Sequence, residues 1–241
     1  MILLDPTARP LIAHRGASGT HPENTMLAFE QGLSLGADAI ELDVRLTADG
    51  VLVVIHDRDL DRTTDGSGPV GSFTAEQLGQ FDAGSGERIP SLDSVLARFP
   101  STPLILELKE TQVARPVMEL LRRHGAARRV LVGSFEPGAL APFDVPGFYR
   151  AASRRETTAF WLGSRLGWAP RGRSYQAFTV PVQHGKVTVV YESFTRWAMR
   201  RAKPVHVWTV DHKTEAQRLR TIGVQGIITN FPERMRELTV S

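Results

Sequence analysis

The sequence predicts a single (β/α)8 barrel with a small insertion after its second strand. Three observations lead there. Short β-rich runs alternate with helical patterns from one end of the chain to the other. The count reaches eight of each once the run 51–56 is taken as an excursion of the second strand. The length, 241 residues, suits one barrel domain spanning 1–241. An open doubly wound sheet is the competing architecture, but no Gly-x-Gly-x-x-Gly follows the first strand.

The first strand is read in Leu11-Ile12-Ala13-His14-Arg15-Gly16, followed by a helix near 24–35 that Gly36 closes. Strand-like runs at 39–46 and 51–56 flank Thr47-Ala48-Asp49-Gly50, whose Asp-Gly pair is a hairpin signal. Residues 57–90, rich in Gly, Asp, Thr and Ser, read as an inserted segment above the barrel. They carry one short helix at the capping-box pattern Thr74-Ala75-Glu76-Gln77. Further strands are expected near 103–108, 129–133, 147–152, 175–181, 205–210 and 225–229. Helices are expected near 91–99, 112–124, 136–142, 154–167, 191–202, 212–222 and 232–238, with Pro232 at a first helical position.

Composition narrows the function classes. No apolar run reaches the roughly 18 residues of a membrane span. The start, Met-Ile-Leu-Leu-Asp-Pro, is a poor secretory signal. With no cysteine there are no disulfides, thiolate metal sites or Cys nucleophile, and the cytoplasm is the default compartment. A net charge of +3 is too mild to argue for nucleic acid, although 25 of the 29 basic residues are arginine.

Reactive groups of such barrels gather at the C-terminal ends of the strands. There the sequence places His14 and Arg15 on the first strand, Glu41 and Asp43 on the second, Glu107 and Lys109 on the third, and Trp208 near the end of the seventh. Glu41 and Asp43 are two apart and share a strand face, where two carboxylates repel unless a cation or proton lies between them. Three carboxylates without Cys suit a hard cation such as Mg²⁺ or Ca²⁺. His56 faces Glu41 if the hairpin centres on Ala48-Asp49, and Asp43 if it centres on Asp49-Gly50. In either register it joins the carboxylate face. Two imidazoles there suit general acid and base roles, and Arg15 and Lys109 suit phosphate oxygens. The constellation indicates an anionic substrate and a divalent metal more firmly than it indicates a phosphodiester, since an enolase-type lyase uses similar parts.

At these residues the chain resembles the glycerophosphodiester phosphodiesterase family. His14-Arg15-Gly16, Pro22-Glu23-Asn24-Thr25, Glu41-Leu42-Asp43-Val44 and His56-Asp57 look like its N-terminal signature. Asp61-Arg62-Thr63-Thr64, Ile89-Pro90-Ser91-Leu92 and Glu107-Leu108-Lys109 continue it. Val207-Trp208-Thr209-Val210 and Gly226-Ile227-Ile228-Thr229 look like its last blocks. The resemblance implies a barrel with a segment inserted after the second strand. It implies Mg²⁺ or Ca²⁺ on Glu41, Asp43 and Glu107, and His14 and His56 as the acid–base pair. It implies Arg15 and Lys109 on the phosphate, and deacylated phospholipids as small-molecule substrates, giving an alcohol and glycerol 3-phosphate. Three positions depart from the family pattern. Gln225 and Asn230 stand where Asp is frequent, and Asp211 where Asn is common, which puts the pocket floor or alcohol site in question.

Two other functions compete. One is lysophospholipase D-like activity on lipids. Its support is the apolar set Phe160, Trp161, Leu162, Leu166 and Trp168 beside Arg154, Arg155, Arg165, Arg171 and Arg173, interfacial if exposed. The favoured expectation for that segment is a barrel helix with a buried apolar stripe, and no stable membrane insertion. The other is a noncatalytic phosphate- or nucleic-acid-binding barrel, which has no need of two histidines on an acidic cluster.

Overall fold

Period-two alternation in the strand runs puts every second side chain inside a closed sheet, and the structure realises this as a (β/α)8 barrel. The structure, a computed structural model, describes residues 1–172 and 174–235. Its parallel strands are β1 (Leu11–His14), β2 (Ala39–Leu46), β4 (Leu104–Leu108), β5 (Val130–Gly133), β6 (Tyr149–Arg150), β7 (Phe178–Pro181), β10 (Val205–Trp208) and β11 (Gly226–Thr229). They run in the order β6-β5-β4-β2-β1-β11-β10-β7. The ring closes where Ala151 bridges Ala177 in parallel and Ala152 N donates to Ala177 O at 2.9 Å. β3 (Leu52–Val54) turns back antiparallel on β2. β8 (Gln183–His184) and β9 (Val187–Thr188) form a separate ribbon about Gly185. The sequence reading did not separate this ribbon from its neighbours.

Inward-pointing Ile12, Ala39, Ile105, Leu131, Ala177 and Ile228 fill the lower barrel, and Leu3, on the 3-10 turn Ile2–Leu4, plugs its N-terminal end. Two residues further along the same strands the inward positions turn polar: His14, Glu41 and Glu107. The alternation thus separates a dry floor from a reactive upper layer. Outside the ring, one shell packs α1 (Met26–Ser34), α3 (Leu92–Arg98) and α4 (Ala114–Arg123) on the first strands. A second packs α5 (Arg154–Arg165), α6 (Glu192–Arg200) and α7 (Lys213–Thr221) on the last. The caps follow the sequence signals. Ser153 and Glu156 make a capping box on α5, and Thr74 and Gln77 make one on α2 (Ala75–Leu78).

Two expectations need correction. The helix expected at 136–142 is absent, and a single 3-10 turn, Ala141–Phe143, stands there. Pro137 and Pro142 bracket Gly138, whose φ of 85° no helix accepts. The apolar stripe of α5 is only partly buried. Phe160 is buried, but Leu162 and Leu166 at the helix end are exposed, as is Trp168 beyond it. The last helix, α8, is described over Pro232–Met235, and its expected continuation to 238 lies outside the described residues. Residues 57–90 pack through their own small core of Leu60, Val70, Leu78, Ala83 and Ile89 against Val53 and Ile55.

His206 carries a polar group into the barrel floor. His206 on β10 is fully buried, its Nε2 set 2.8 Å from Leu3 O. A Cβ on Gly226 would come within 2.0 Å of its Nδ1, so the imidazole fits only beside glycine. Burial lowers its pKa to about 4, against about 6.5 in the unfolded chain. The unfolded state therefore binds more protons between these values. Stability is fully present above pH 6.5 and is lost as pH falls towards 4, by up to roughly 3 kcal/mol. Urea unfolding at pH 7 and pH 4.5 should show His206→Gln losing roughly 2 kcal/mol less than the wild type on acidification; an identical loss would contradict this account.

Candidate active site

The upper layer begins where β1 ends. Arg15 and Gly16 turn the chain with φ of 55° and 82°. A Cβ on Gly16 would lie 2.4 Å from the Ala28 carbonyl carbon, so only glycine allows α1 to approach. The turn directs Arg15 N at Glu41, 2.8 Å from its backbone O and 3.2 Å from Oε2. Asn24, also at positive φ, donates from Nδ2 to Asp43 Oδ2 at 3.0 Å and accepts from Asp43 N at 3.4 Å. Sequence reasoning assigned Asn24 no place in the site; its signal was its position within Pro22-Glu23-Asn24-Thr25.

Glu41 and Asp43 share the inner face of β2, and register places Glu107 of β4 beside Asp43. One carboxylate oxygen from each of the three lies within 4.8 Å of the other two. Burial raises Glu41 well above the usual carboxylate range, and the charges of Asp43 and Glu107 add to this. Burial also raises Glu107. Asp43 is held below its usual value despite burial, because Lys109 and Arg15 flank it. Lys109 Nζ lies 2.9 Å from Asp43 Oδ1 and 2.6 Å from Glu107 Oε1, and Arg15 Nε lies 3.1 Å from Asp43 Oδ2. Two cations thus face three carboxylates. The donor set is all oxygen, close-set and short of positive charge, which fits a hard divalent cation.

His14 is fixed from behind by a chain of hydrogen bonds. Asp211 only accepts, so it takes both Asn230 N (2.8 Å, to Oδ1) and Asn230 Nδ2 (2.7 Å, to Oδ2). That turns Asn230 Oδ1 to His14 Nδ1 at 2.7 Å and to the Ser18 hydroxyl at 2.8 Å. Nδ1 must then carry the proton and Nε2 the lone pair; Nε2 stands 3.8 Å from Glu41 Oε2. Burial, then Arg15, lowers the His14 pKa.

His56 reaches the same cavity by a different route from the one expected. Val44 pairs with Val54, Arg45 with Val53 and Leu46 with Leu52, so the hairpin centres on Asp49 itself. That is neither anticipated register. A continued ladder would set His56 opposite Leu42, on the wrong face. The ladder instead ends at Val54, Ile55 N donates to Asp43 O at 3.1 Å, and the chain swings His56 over the carboxylates. Its Nδ1 lies 2.6 Å from Asp57 Oδ1. Arg62 donates from Nε to Asp57 Oδ2 at 2.5 Å and grips Glu23 with both Nη atoms at 2.9 and 2.7 Å. Glu23 in turn accepts from Arg15 Nη1 at 2.9 Å. Arg62, then His56, holds Asp57 well below the usual carboxylate range. One guanidinium of the 57–90 segment thus ties His56 to Arg15.

His14, Arg15, Glu41, His56, Glu107 and Lys109 line a cavity of about 540 Å³ together with Trp208, Phe135 and Trp161. Asp43 lies just behind, 1% exposed. All eight residues singled out in the sequence therefore converge. Residues 14–234 match the Glycerophosphoryl diester phosphodiesterase family.

The chain belongs to this family. Among its relatives, the putative glycerophosphodiester phosphodiesterase YhdW of Bacillus subtilis is 35% identical over 92% of this chain and 95% of that protein. Human lysophospholipase D GDPD3 is 28% identical over 96% and 85%. The crystal structure of glycerophosphodiester phosphodiesterase from Agrobacterium tumefaciens C58 superposes with a TM-score of 0.80 at 28% identity, covering 95% of this chain and 99% of that one. An Oleispira antarctica phosphodiesterase in complex with the product sn-glycerol-3-phosphate superposes at 0.76 and 26%, covering 97% and 98%.

The departures from the glycerophosphodiester phosphodiesterase pattern now have a place. Asp211 and Asn230 face each other, so this family member keeps one acid and one amide behind His14. Gln225 pairs with Val205 N at 2.9 Å and Gly223 O at 2.9 Å and lines no part of the cavity, so it does not alter the pocket floor. Asp211→Ala should free the Asn230 amide to turn over. Imidazole ¹⁵N shifts should then show His14 moving from a single Nδ1–H tautomer to a mixture; an unchanged tautomer would remove Asp211 from the chain of contacts.

Proposed function

We propose that the chain hydrolyses glycerophosphodiesters, the deacylated phospholipids, to an alcohol and glycerol 3-phosphate, with one Mg²⁺ or Ca²⁺ held by Glu41, Asp43 and Glu107. The observation that carries this is three carboxylate oxygens within 4.8 Å of one another between two cavity-facing imidazoles, in a chain of this family. The bound cation would supply positive charge to the phosphate's nonbridging oxygens. Arg15 and Lys109 add fixed positive charge to the same oxygens as the transition state gains negative charge. Trp208 walls the substrate. Residues 1–241 serve as one domain in this reading, and segment 57–90 contributes through Asp57 and Arg62.

The groups behind the rings divide the proton work. His14 rests on a neutral amide and offers a lone pair at Nε2, so it takes the proton from the attacking hydroxyl. His56 is held at Nδ1 by the Asp57 carboxylate and is assigned the acid, giving its proton to the leaving alkoxide as the P–O bond breaks. Attack by water or by the glycerol 2-hydroxyl is compatible with these positions. A noncatalytic binding barrel would have no use for this polarised pair.

Chelation should abolish hydrolysis, and Mg²⁺ or Ca²⁺ should restore it. Glu41→Ala, Asp43→Ala and Glu107→Ala should each weaken calorimetric metal binding by at least roughly tenfold with the fold retained. A variant with normal affinity and turnover would expel that residue from the set.

His14→Ala and His56→Ala should each lower turnover on glycerophosphocholine by roughly 10²–10⁴-fold. A nitrophenyl phosphodiester, whose leaving group needs no proton, should partly rescue His56→Ala and leave His14→Ala impaired. Rescue of His14→Ala instead would reverse the assignment, and small equal losses on both substrates would end the acid–base reading.

A further inference from the structure

The α5–α6 face carries features that the chemistry of the cavity leaves unused. The first two turns of α5 serve the cavity, through Arg154, Thr157, Thr158 and Trp161. Beyond them the helix presents Leu162 at 51% exposure, Leu166 at 77% and, two residues past Leu166, Trp168 at 54%. None of these three lines the cavity. Arg201 Nη2, at the end of α6, donates to Ala169 O at 2.9 Å. Met199 and Arg200, next to Arg201 in the chain, are exposed as well. A run of large apolar side chains this exposed is unusual on a face that meets only water.

The charges around the patch have one sign. Arg155, Arg165, Arg171, Arg196 and Arg200 are all exposed. The acids of α5 and α6 are two. Glu156 is taken up by Arg150, whose Nη1 and Nη2 donate to it at 2.7 and 2.9 Å. Glu192 sits 3.8 Å from Arg196. A second copy of the chain is a poor occupant, because a twofold contact would set this arginine-rich face against itself. Exposed Leu and Trp on a helix pair whose exposed charges are mostly arginine match instead the interface of an anionic bilayer, where apolar tips enter the headgroup layer and cations meet lipid phosphates.

We infer that this face docks the protein peripherally on anionic phospholipid bilayers, Leu162, Leu166 and Trp168 entering the headgroup region and the arginines contacting lipid phosphates. The patch and the cavity share no residue.

Cosedimentation of the full chain with vesicles of equimolar phosphatidylglycerol and phosphatidylcholine tests this. Partitioning should exceed that on pure phosphatidylcholine by at least roughly tenfold, and fall with added salt. Leu166→Asp and Trp168→Asp should each lower it roughly tenfold, and Arg171→Glu on the order of fivefold. Circular dichroism and hydrolysis of a soluble diester should stay as in the wild type. Absence of binding to anionic vesicles, or binding unchanged in both aspartate variants, overturns the inference. A concentration-dependent dimer that Leu166→Asp abolishes also overturns it, by assigning the face to a second copy.

Discussion

The site depends on one constraint: three carboxylates with too little positive charge around them at the top of a closed barrel. Glu41 and Asp43 are held on one strand face by pleat, and Glu107 is brought beside them by register. None can leave that face without breaking the ladder. Water is largely excluded from Glu41 and Asp43, so their mutual repulsion is poorly screened. Everything nearest them is positive or a donor: Lys109 between two of them, Arg15 on the third side, the Asn24 amide behind Asp43. The fold holds in place a charge arrangement that a divalent cation would complete.

The second layer follows from the first. Arg15 is available to the carboxylates only because Glu23 holds its other end, and Glu23 is held by Arg62. Arg62 also grips Asp57, which sets His56. The segment after the hairpin thus reaches the site through Asp57 and Arg62. Behind His14, Asp211 orients Asn230 and Asn230 orients His14. The two imidazoles are fixed by partners of unlike charge, an amide behind His14 and a carboxylate behind His56.

Much of this was legible in the sequence wherever periodicity governs it. The pleat alone put Glu41 with Asp43, and the strand-end rule added His14, Glu107 and Lys109. The Thr74 capping box formed as written. Register across a turn was not legible. His56 arrived at the cavity, but by the ladder's termination after Val54 and not by cross-strand pairing. The pairing of Asn230 with His14 spans 216 positions, beyond the reach of any local signal. Without an alignment, Asp211 and Asn230 read as two departures, whereas in space they are one contact. The helix expected at 136–142 failed for a local reason that was visible, two prolines about a glycine. The exposed end of α5 failed for a nonlocal one, since only the packed fold shows which side of an amphipathic run is covered.

The central claim is that the three carboxylates form a single cation site. Anomalous diffraction from crystals soaked in Mn²⁺, an oxygen-seeking stand-in for Mg²⁺ or Ca²⁺, tests it most directly. One strong peak is expected, bonded to oxygens of Glu41, Asp43 and Glu107, with Lys109 Nζ displaced from between Asp43 and Glu107. A peak elsewhere, or none at saturating Mn²⁺, would contradict it.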